Sequence, residues 1–80
     1  MSPEMRRAKL KALCEIEGFE DEADLFAAAM TNSVSAAICC NPDNPDCDYS
    51  EEKEPDSRDG WCEECQRGTM VSALVLGGII

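Results

Sequence analysis

The chain has 80 residues, a formal net charge of −10, six cysteines and no histidine. A domain of this size buries a limited hydrophobic core and usually needs disulfides or a metal ion for stability. Any metal site must use cysteine, carboxylate or backbone oxygen ligands, and the imidazole that most often serves enzymes as a general base is missing. We therefore predict one domain, residues 1–80, that is not an enzyme.

Charge is distributed unevenly along the chain. Residues 1–13 contain four basic side chains against one acidic side chain, residues 14–26 contain six acidic and no basic ones, and residues 41–67 contain ten acidic against three basic ones. Because such an acidic surface repels phosphate backbones, we do not expect nucleic-acid binding. It is suited to solubility, to a basic protein partner, or to the imitation of nucleic acid.

The sequence shows neither a secretion signal nor a membrane span. The charged N-terminal segment is not followed by the apolar core of a signal peptide. The apolar run at residues 70–80 is too short to cross a bilayer. We expect a cytoplasmic protein, in the host cytoplasm if the chain is viral, where thiols stay reduced. Clustered cysteines in that compartment bind metal more often than they form disulfides.

A first helix is predicted over residues 3–16. Ser2 can cap it, the proline that follows fits the first helical position, and Gly18 suits the residue that ends it. Apolar residues recur at helical spacing and form a face that includes Ile16. The same helix contains Cys14, which we interpret as a small buried hydrophobic residue.

A second helix is predicted to follow the acidic residues 20–22, which suit the positive end of a helix dipole. It ends near the polar residues 31–33, so that residues 1–33 form a helical hairpin. Its predicted apolar stripe consists of Ala23, Phe26, Ala27 and Met30, widened by Leu25 and Ala29.

Residues 34–80 form the second half of the predicted domain, in which short extended segments alternate with turns. Trp61 directly precedes a cysteine, and we expect it to shield a metal site or to close the core. The predicted segments are an extended run at 34–40, a turn at 41–46, a short strand at 47–51, a polar loop at 54–60 and a metal-binding turn at 61–65.

The segment at residues 69–80 fits two structures. Its valine and isoleucine content favours a strand, whereas Ser72-Ala73-Leu74 and the glycine pair that follows fit a short helix capped by Thr69. We favour the helix. The segment is too apolar to remain fully in solvent, so we expect it to pack on the core or to form an interface, such as that of a homodimer.

The spacing of the cysteines indicates a metal site. Cys62 and Cys65 enclose two residues, and a tight turn of that length can direct both sulfurs at one ion. A second cysteine group lies upstream at the distance found in paired zinc knuckles. It contains Cys39, Cys40 and Cys47.

The upstream group is irregular, because seven residues separate Cys39 from Cys47. The turn-rich residues 41–46 can loop out and let the two ends meet. Cys39 is favoured as the ligand because it ends an extended run, although a swap with Cys40 stays open. We predict one structural Zn²⁺ bound by four thiolates, since a site filled by four cysteines has no open position for catalysis. Iron in a rubredoxin-like site is the alternative.

The second half of the chain resembles a group of short, uncharacterised zinc-ribbon-like proteins of bacteria and bacteriophages. The resemblance covers residues 34–80 and implies a zinc-binding fold. It implies Cys39 rather than Cys40 as a ligand, and a short insertion near residues 43–46. The segments that carry it are Ile38-Cys39, Cys47-Asp48-Tyr49, Glu54-Pro55-Asp56, Gly60-Trp61-Cys62-Glu63-Glu64-Cys65 and Ser72-Ala73-Leu74-Val75-Leu76-Gly77-Gly78-Ile79-Ile80.

The leading functional hypothesis is a small α+β zinc-binding protein that acts as a protein-interaction module. A helical hairpin would precede a zinc-ribbon or knuckle-like half with the ligands Cys39, Cys47, Cys62 and Cys65. One alternative is a nucleic-acid-associated transcriptional regulator. Its phosphate contacts would have to come from Arg6, Arg7, Lys9 and Lys11. Another is a phage-type inhibitor whose acidic surface mimics DNA.

Overall fold

The computed structural model describes residues 2–80, in which helices pack on a four-stranded antiparallel sheet. The strand order is β2-β1-β4-β3. The predicted α+β class, with a helical hairpin preceding the cysteine-rich half, is confirmed. In chain order the elements are α1 (Pro3–Glu17), α2 (Glu22–Thr31), β1 (Ser35–Cys39), β2 (Ser50–Lys53), β3 (Gly60–Cys62), β4 (Arg67–Ser72) and α3 (Ala73–Leu76).

Helix α1 begins and ends where its capping residues predict. The Ser2 hydroxyl accepts a hydrogen bond from the Met5 amide at 3.1 Å. Gly18 adopts the left-handed conformation with φ 79°, and its N–H is directed at the carbonyls of Cys14 and Glu15. Only glycine enters this conformation without steric cost, so the helix stops there.

The buried face of α1 differs from the predicted one. Leu10, Leu13 and Cys14 are buried as predicted, but Ile16, which was expected on the same face, is 48% exposed and lies outside the core. Lys9 is only 2% exposed and takes a place on the buried face. Helix α1 therefore turns Lys9 toward the interior, where groups in the cysteine-rich half accept hydrogen bonds from its ammonium group.

The predicted apolar stripe of α2 is confirmed in part, because Phe26 packs against the core and the flanking Leu25 and Ala29 are buried. Leu25 and Ala29 are buried one turn apart, whereas Ala23, Ala27 and Met30 face solvent. Leu25 belongs to the buried core, where a leucine side chain adds more apolar area than alanine does. Asp21 caps the helix by accepting a hydrogen bond from Asp24 N at 3.0 Å.

The sheet separates two buried clusters, because side chains alternate between its faces. Ile38 and Val71, paired across β1 and β4, lie on the face covered by the helices. Cys39 and Met70 form the next pair and lie on the opposite face. The buried residues of the helix-side cluster are Leu10, Leu13, Cys14, Leu25, Ile38, Cys40, Val71, Ala73 and Leu76. Those of the opposite cluster are Ala37, Cys39, Cys62 and Met70.

The two structures considered for the C-terminal segment both occur in succession. Strand β4 continues to Ser72, and the four-residue helix α3 begins after it. Ser72, rather than the expected Thr69, caps α3, with its hydroxyl accepting a hydrogen bond from Val75 N at 3.3 Å. The same hydroxyl donates to the Pro55 carbonyl, so one buried side chain stops the strand and ties down the preceding loop.

The apolar C-terminal residues are only partly covered. Leu74 and Leu76 are buried, but Ile79 and Ile80 are 43% and 51% exposed. Gly77 packs directly against the ring of Phe26 in α2. Within residues 2–80, no helix combines the length and the apolar character needed to cross a membrane.

The strand near Tyr49 and the place of Trp61 also differ from the predictions. Strand β2 begins at Ser50 instead of residue 47, because the preceding residues are used to reach the cysteine cluster. Trp61 is 50% exposed and belongs to neither buried cluster. Alternation with Cys62 places it on the other face of edge strand β3, while the helices pack mainly on β1 and β4.

Candidate metal centre

Four cysteine sulfurs converge on the face of the sheet opposite the helices. The Sγ atoms of Cys39, Cys47, Cys62 and Cys65 all lie within 4.8 Å of one another. Cys39 Sγ is 3.7 Å from Cys65 Sγ, and Cys47 Sγ is 3.9 Å from Cys62 Sγ. A tetrahedral ion with metal–sulfur bonds of about 2.3 Å requires sulfurs about 3.8 Å apart. These two separations match that value, and the four sulfurs together could hold a metal ion.

Strand geometry decides which of two adjacent cysteines joins the cluster. Cys39 is the last residue of β1 and points to the same face as Ala37. Cys40 points to the other face, packs in the helix-side core with Ile38, and directs its thiol at the Ile38 carbonyl at 3.5 Å. The structure thus brings together the four cysteines favoured from the sequence and leaves Cys14 and Cys40 apart from them.

Two consecutive turns bridge the long gap between Cys39 and Cys47. The Asn44 amide donates to the Asn41 carbonyl, and the Cys47 amide donates to the Asn44 carbonyl, each at 3.1 Å. The side-chain oxygen of Asn41 also accepts a hydrogen bond from Asp43 N at 2.9 Å. Each turn reverses part of the path, so the seven intervening residues return Cys47 to the end of β1.

The turn between Cys62 and Cys65 forms a compact knuckle. The Cys65 amide donates to Cys62 Sγ at 3.4 Å, and the Gln66 amide donates to the Cys62 carbonyl at 2.7 Å. Gln66 has φ 54°, which is uncommon for a residue other than glycine. This left-handed residue leads the chain into β4, and the sulfurs of Cys62 and Cys65 lie on the same face of the sheet.

Polar side chains outside the four cysteines contact the sulfurs. The Thr69 hydroxyl is 3.1 Å from Cys39 Sγ, and the amide nitrogen of Asn44 donates to Cys65 Sγ at 3.7 Å. Arg67 donates to the side-chain oxygens of Asn41 and Asp43 at 3.1 and 2.7 Å, which ties the loop to β4. Donors around a thiolate favour its charged form, and such contacts orient metal ligands.

The surroundings shift the ionisation of the thiols in different directions. Burial raises the pKa of the Cys39 thiol, and it raises the pKa of Cys47 to about 12. The side-chain amide of Asn41 is the main cause that lowers the pKa of Cys65 to about 7. Four thiolates in so small a volume would require a cation to offset their charge, which a bound divalent metal would supply.

Lys9 connects helix α1 to the loop that carries Cys47. Its Nζ atom donates to the Cys47 carbonyl at 2.6 Å and to Asp48 Oδ1 at 2.9 Å. Sequence reasoning missed this role and counted Lys9 among the exposed bases. The sequence does contain a signal for its burial, because Lys9 is four residues from both Met5 and Leu13 and so lies on the apolar face of the helix.

Comparison with known proteins finds no matching family model, no matching curated protein and no matching solved structure. The likeness to zinc-ribbon-like proteins remains a prediction. Function must therefore be inferred from the geometry of the chain itself.

Proposed function

We propose that this protein is a non-enzymatic interaction module whose fold is held by one structural Zn²⁺. The proposed ligands are the thiolates of Cys39, Cys47, Cys62 and Cys65. The observation that supports the metal is the pair of sulfur separations, 3.7 and 3.9 Å, which match the edges of a zinc–thiolate tetrahedron.

A structural role follows from the ligand set. Four protein thiolates complete a tetrahedral site and leave no position for a substrate or a reactive water. The ligands also come from different parts of the fold, because Cys39 ends β1, Cys47 lies in the loop between β1 and β2, and Cys62 ends β3. An ion at this place would join segments that share only a small buried cluster of their own.

The proposal of a protein partner is supported by apolar side chains on the surface. Met30, Trp61, Ile79 and Ile80 are each 43% exposed or more. Exposed apolar side chains are normal singly, but contiguous ones mark sites of association. Ile79 and Ile80 are adjacent, so the C-terminal end is the proposed homodimer contact.

The nucleic-acid alternative has less support. Lys9 is buried and uses its ammonium group on Cys47 and Asp48, so it is withdrawn from any contact with phosphate. Three exposed bases remain near the N-terminus, on a chain with a net charge of −10. Phosphate binding needs a positive surface, so protein is the favoured class of partner.

Metal analysis tests the structural part of the proposal. The full chain is purified without added metal, its metal content is measured, and its thermal unfolding is followed with and without a chelator. We expect one zinc ion per chain and a large loss of stability on chelation, because structural zinc contributes directly to folding. A Cys14→Ser variant is the control and should retain the metal. Intact disulfides by mass, or a melting curve indifferent to the chelator, would overturn the proposal.

A further inference from the structure

A groove of about 280 Å³ lies between α2 and the edge of the sheet formed by β1 and β2. Phe19, Ala28, Val34 and Ala36 line it with apolar side chains, and Leu25, which is almost completely buried, adjoins it. The helices pack mainly on β1 and β4, and none packs extensively on β2. The small alanine side chains give the groove its depth.

Two carboxylates, those of Glu17 and Glu52, also line the groove, and within residues 2–80 none of its lining side chains is basic. Glu52 pairs with Ala36 across the strands and therefore lies on the groove side of the sheet. Its neighbour Glu51 lies on the other face, where it contacts Tyr49 and Lys53. Neither Glu17 nor Glu52 forms an ion pair with a side chain in residues 2–80.

Glu17 also has an unfavourable position in its helix. It is the last residue of α1, and the last turn of that helix contains no basic residue. The C-terminal end of a helix carries partial negative charge, so a carboxylate is destabilised there and a cation is favoured. A positive group bound at this end of the groove would interact with both Glu17 and the helix dipole.

We infer that the groove binds a segment of a partner protein that carries an arginine or lysine beside apolar residues. The aliphatic stem of such a side chain can cover apolar surface while its charged end reaches a carboxylate. Two copies of this chain would not bind groove to groove, because their acidic rims would repel each other. Nucleic acid is excluded by the same charge. This inference rests on the proposed function as a protein-interaction module and specifies its partner's chemistry.

Selection from a peptide library tests the inference while the partner is still unidentified. The metal-loaded full chain is used to select from a phage-displayed library of random linear peptides, and the enriched peptides are synthesised. Their affinities are measured by fluorescence polarisation for the unmodified chain and for variants confirmed as folded by thermal melting. We expect the enriched peptides to contain arginine or lysine next to apolar residues, and their binding to weaken as salt is raised.

Two groove variants and one control locate the binding site. The double substitution Glu17→Gln and Glu52→Gln should weaken binding by about fivefold or more, since it removes both carboxylates. Ala28→Leu fills the groove without changing its charge and should weaken binding by about tenfold. The control, Glu20→Gln with Glu54→Gln, makes the same change in net charge elsewhere and should alter affinity by less than about twofold.

The outcomes separate this inference from the function on which it rests. Peptides without basic residues, or affinities indifferent to both groove variants, would overturn the groove assignment and leave an interaction module that binds elsewhere. A folded, metal-loaded chain that enriches no peptide would overturn both.

Discussion

Cys39 and Cys40 are adjacent in the chain, yet their sulfurs lie on opposite sides of the sheet. Cys39 Sγ is 3.7 Å from Cys65 Sγ, whereas the Cys40 thiol is directed at the Ile38 carbonyl within the helix-side core. The alternation of a β-strand thus gives two identical residues different chemistry. Burial raises the pKa of Cys40 to about 11, so this thiol remains protonated and behaves as an apolar core residue.

The first prediction compares Cys39→Ser with Cys40→Ser. The first variant should lose most of its bound zinc, because the proposed site keeps only three thiolates. The second should keep one zinc ion per chain and lose about 1–2 kcal/mol of stability, since it places a hydroxyl in an apolar environment. Metal analysis and thermal melting measure the two effects. Metal loss in Cys40→Ser but not in Cys39→Ser would reverse the ligand assignment.

Much of the fold follows from local chemistry in the sequence. Ser2 and Gly18 delimit α1 because capping and left-handed geometry act within a few residues. The short spacing of Cys62 and Cys65 likewise predicts a knuckle without reference to the remainder of the chain. Features that depend on distant packing were not predictable in this way. Trp61 is exposed because no helix packs extensively on β3. The residues next to Trp61 in the sequence give no indication of this.

Lys9 shows the same limit in the candidate site. Its partners lie 38 and 39 residues away in the chain, so its burial depends on how the helical hairpin meets the cysteine-rich loop. Its spacing from Met5 and Leu13 is that of an apolar-face residue, but its charge led to the prediction that it is exposed. The carbonyl and carboxylate that accept its hydrogen bonds make burial of that charge acceptable.

The second prediction concerns this contact. Lys9→Met preserves the apolar stem but leaves the Cys47 carbonyl without its donor, and it should lower the free energy of unfolding by about 1–3 kcal/mol. Urea denaturation of the metal-loaded protein measures the change. Lys11→Met is the matched control, because Lys11 is exposed on the same helix; its effect should stay within about 0.5 kcal/mol. Equal denaturation midpoints for the two variants would show that the buried contact contributes nothing to stability.

The third prediction uses the left-handed backbone at Gln66, where φ is 54°. A β-branched residue is strained in this conformation, so Gln66→Val should destabilise the metal-loaded protein by about 1–2 kcal/mol. Gln66→Gly removes the steric cost and should leave stability unchanged or raise it by up to about 1 kcal/mol. Thermal melting of the three proteins should therefore give the order glycine, glutamine, valine. If the valine variant were the most stable of the three, residue 66 would not have a left-handed backbone in the folded protein.

The fourth prediction separates the exposed C-terminal residues from the buried ones. Removing Ile79 and Ile80 leaves the buried Leu74 and Leu76 in place, so stability should change by less than about 1 kcal/mol. Under the proposed homodimer contact, concentration-dependent association in light scattering should be lost. Met30→Gln removes a side chain that is 65% exposed on α2 and should leave association unchanged. Association that persists after the truncation would place the contact elsewhere.

The fifth prediction tests how closely α2 and the C-terminal segment pack. A Cβ atom added at Gly77 would lie 2.6 Å from Cε1 of Phe26, which is closer than any real contact allows. The backbone at Gly77, with φ −78° and ψ −5°, is accessible to alanine, so the cost of Gly77→Ala comes from this contact alone.

A double-mutant cycle isolates that cost. Gly77→Ala should destabilise the native protein by about 1–3 kcal/mol, as overpacking of a filled contact usually does. Phe26→Leu removes the ring, so in that background the same substitution should cost markedly less, with a coupling of at least about 0.5 kcal/mol. Urea denaturation of the four proteins supplies the free energies. Strictly additive changes in the free energy of unfolding would show that Gly77 and Phe26 are not in contact, because substitutions at residues that do not touch do not influence each other.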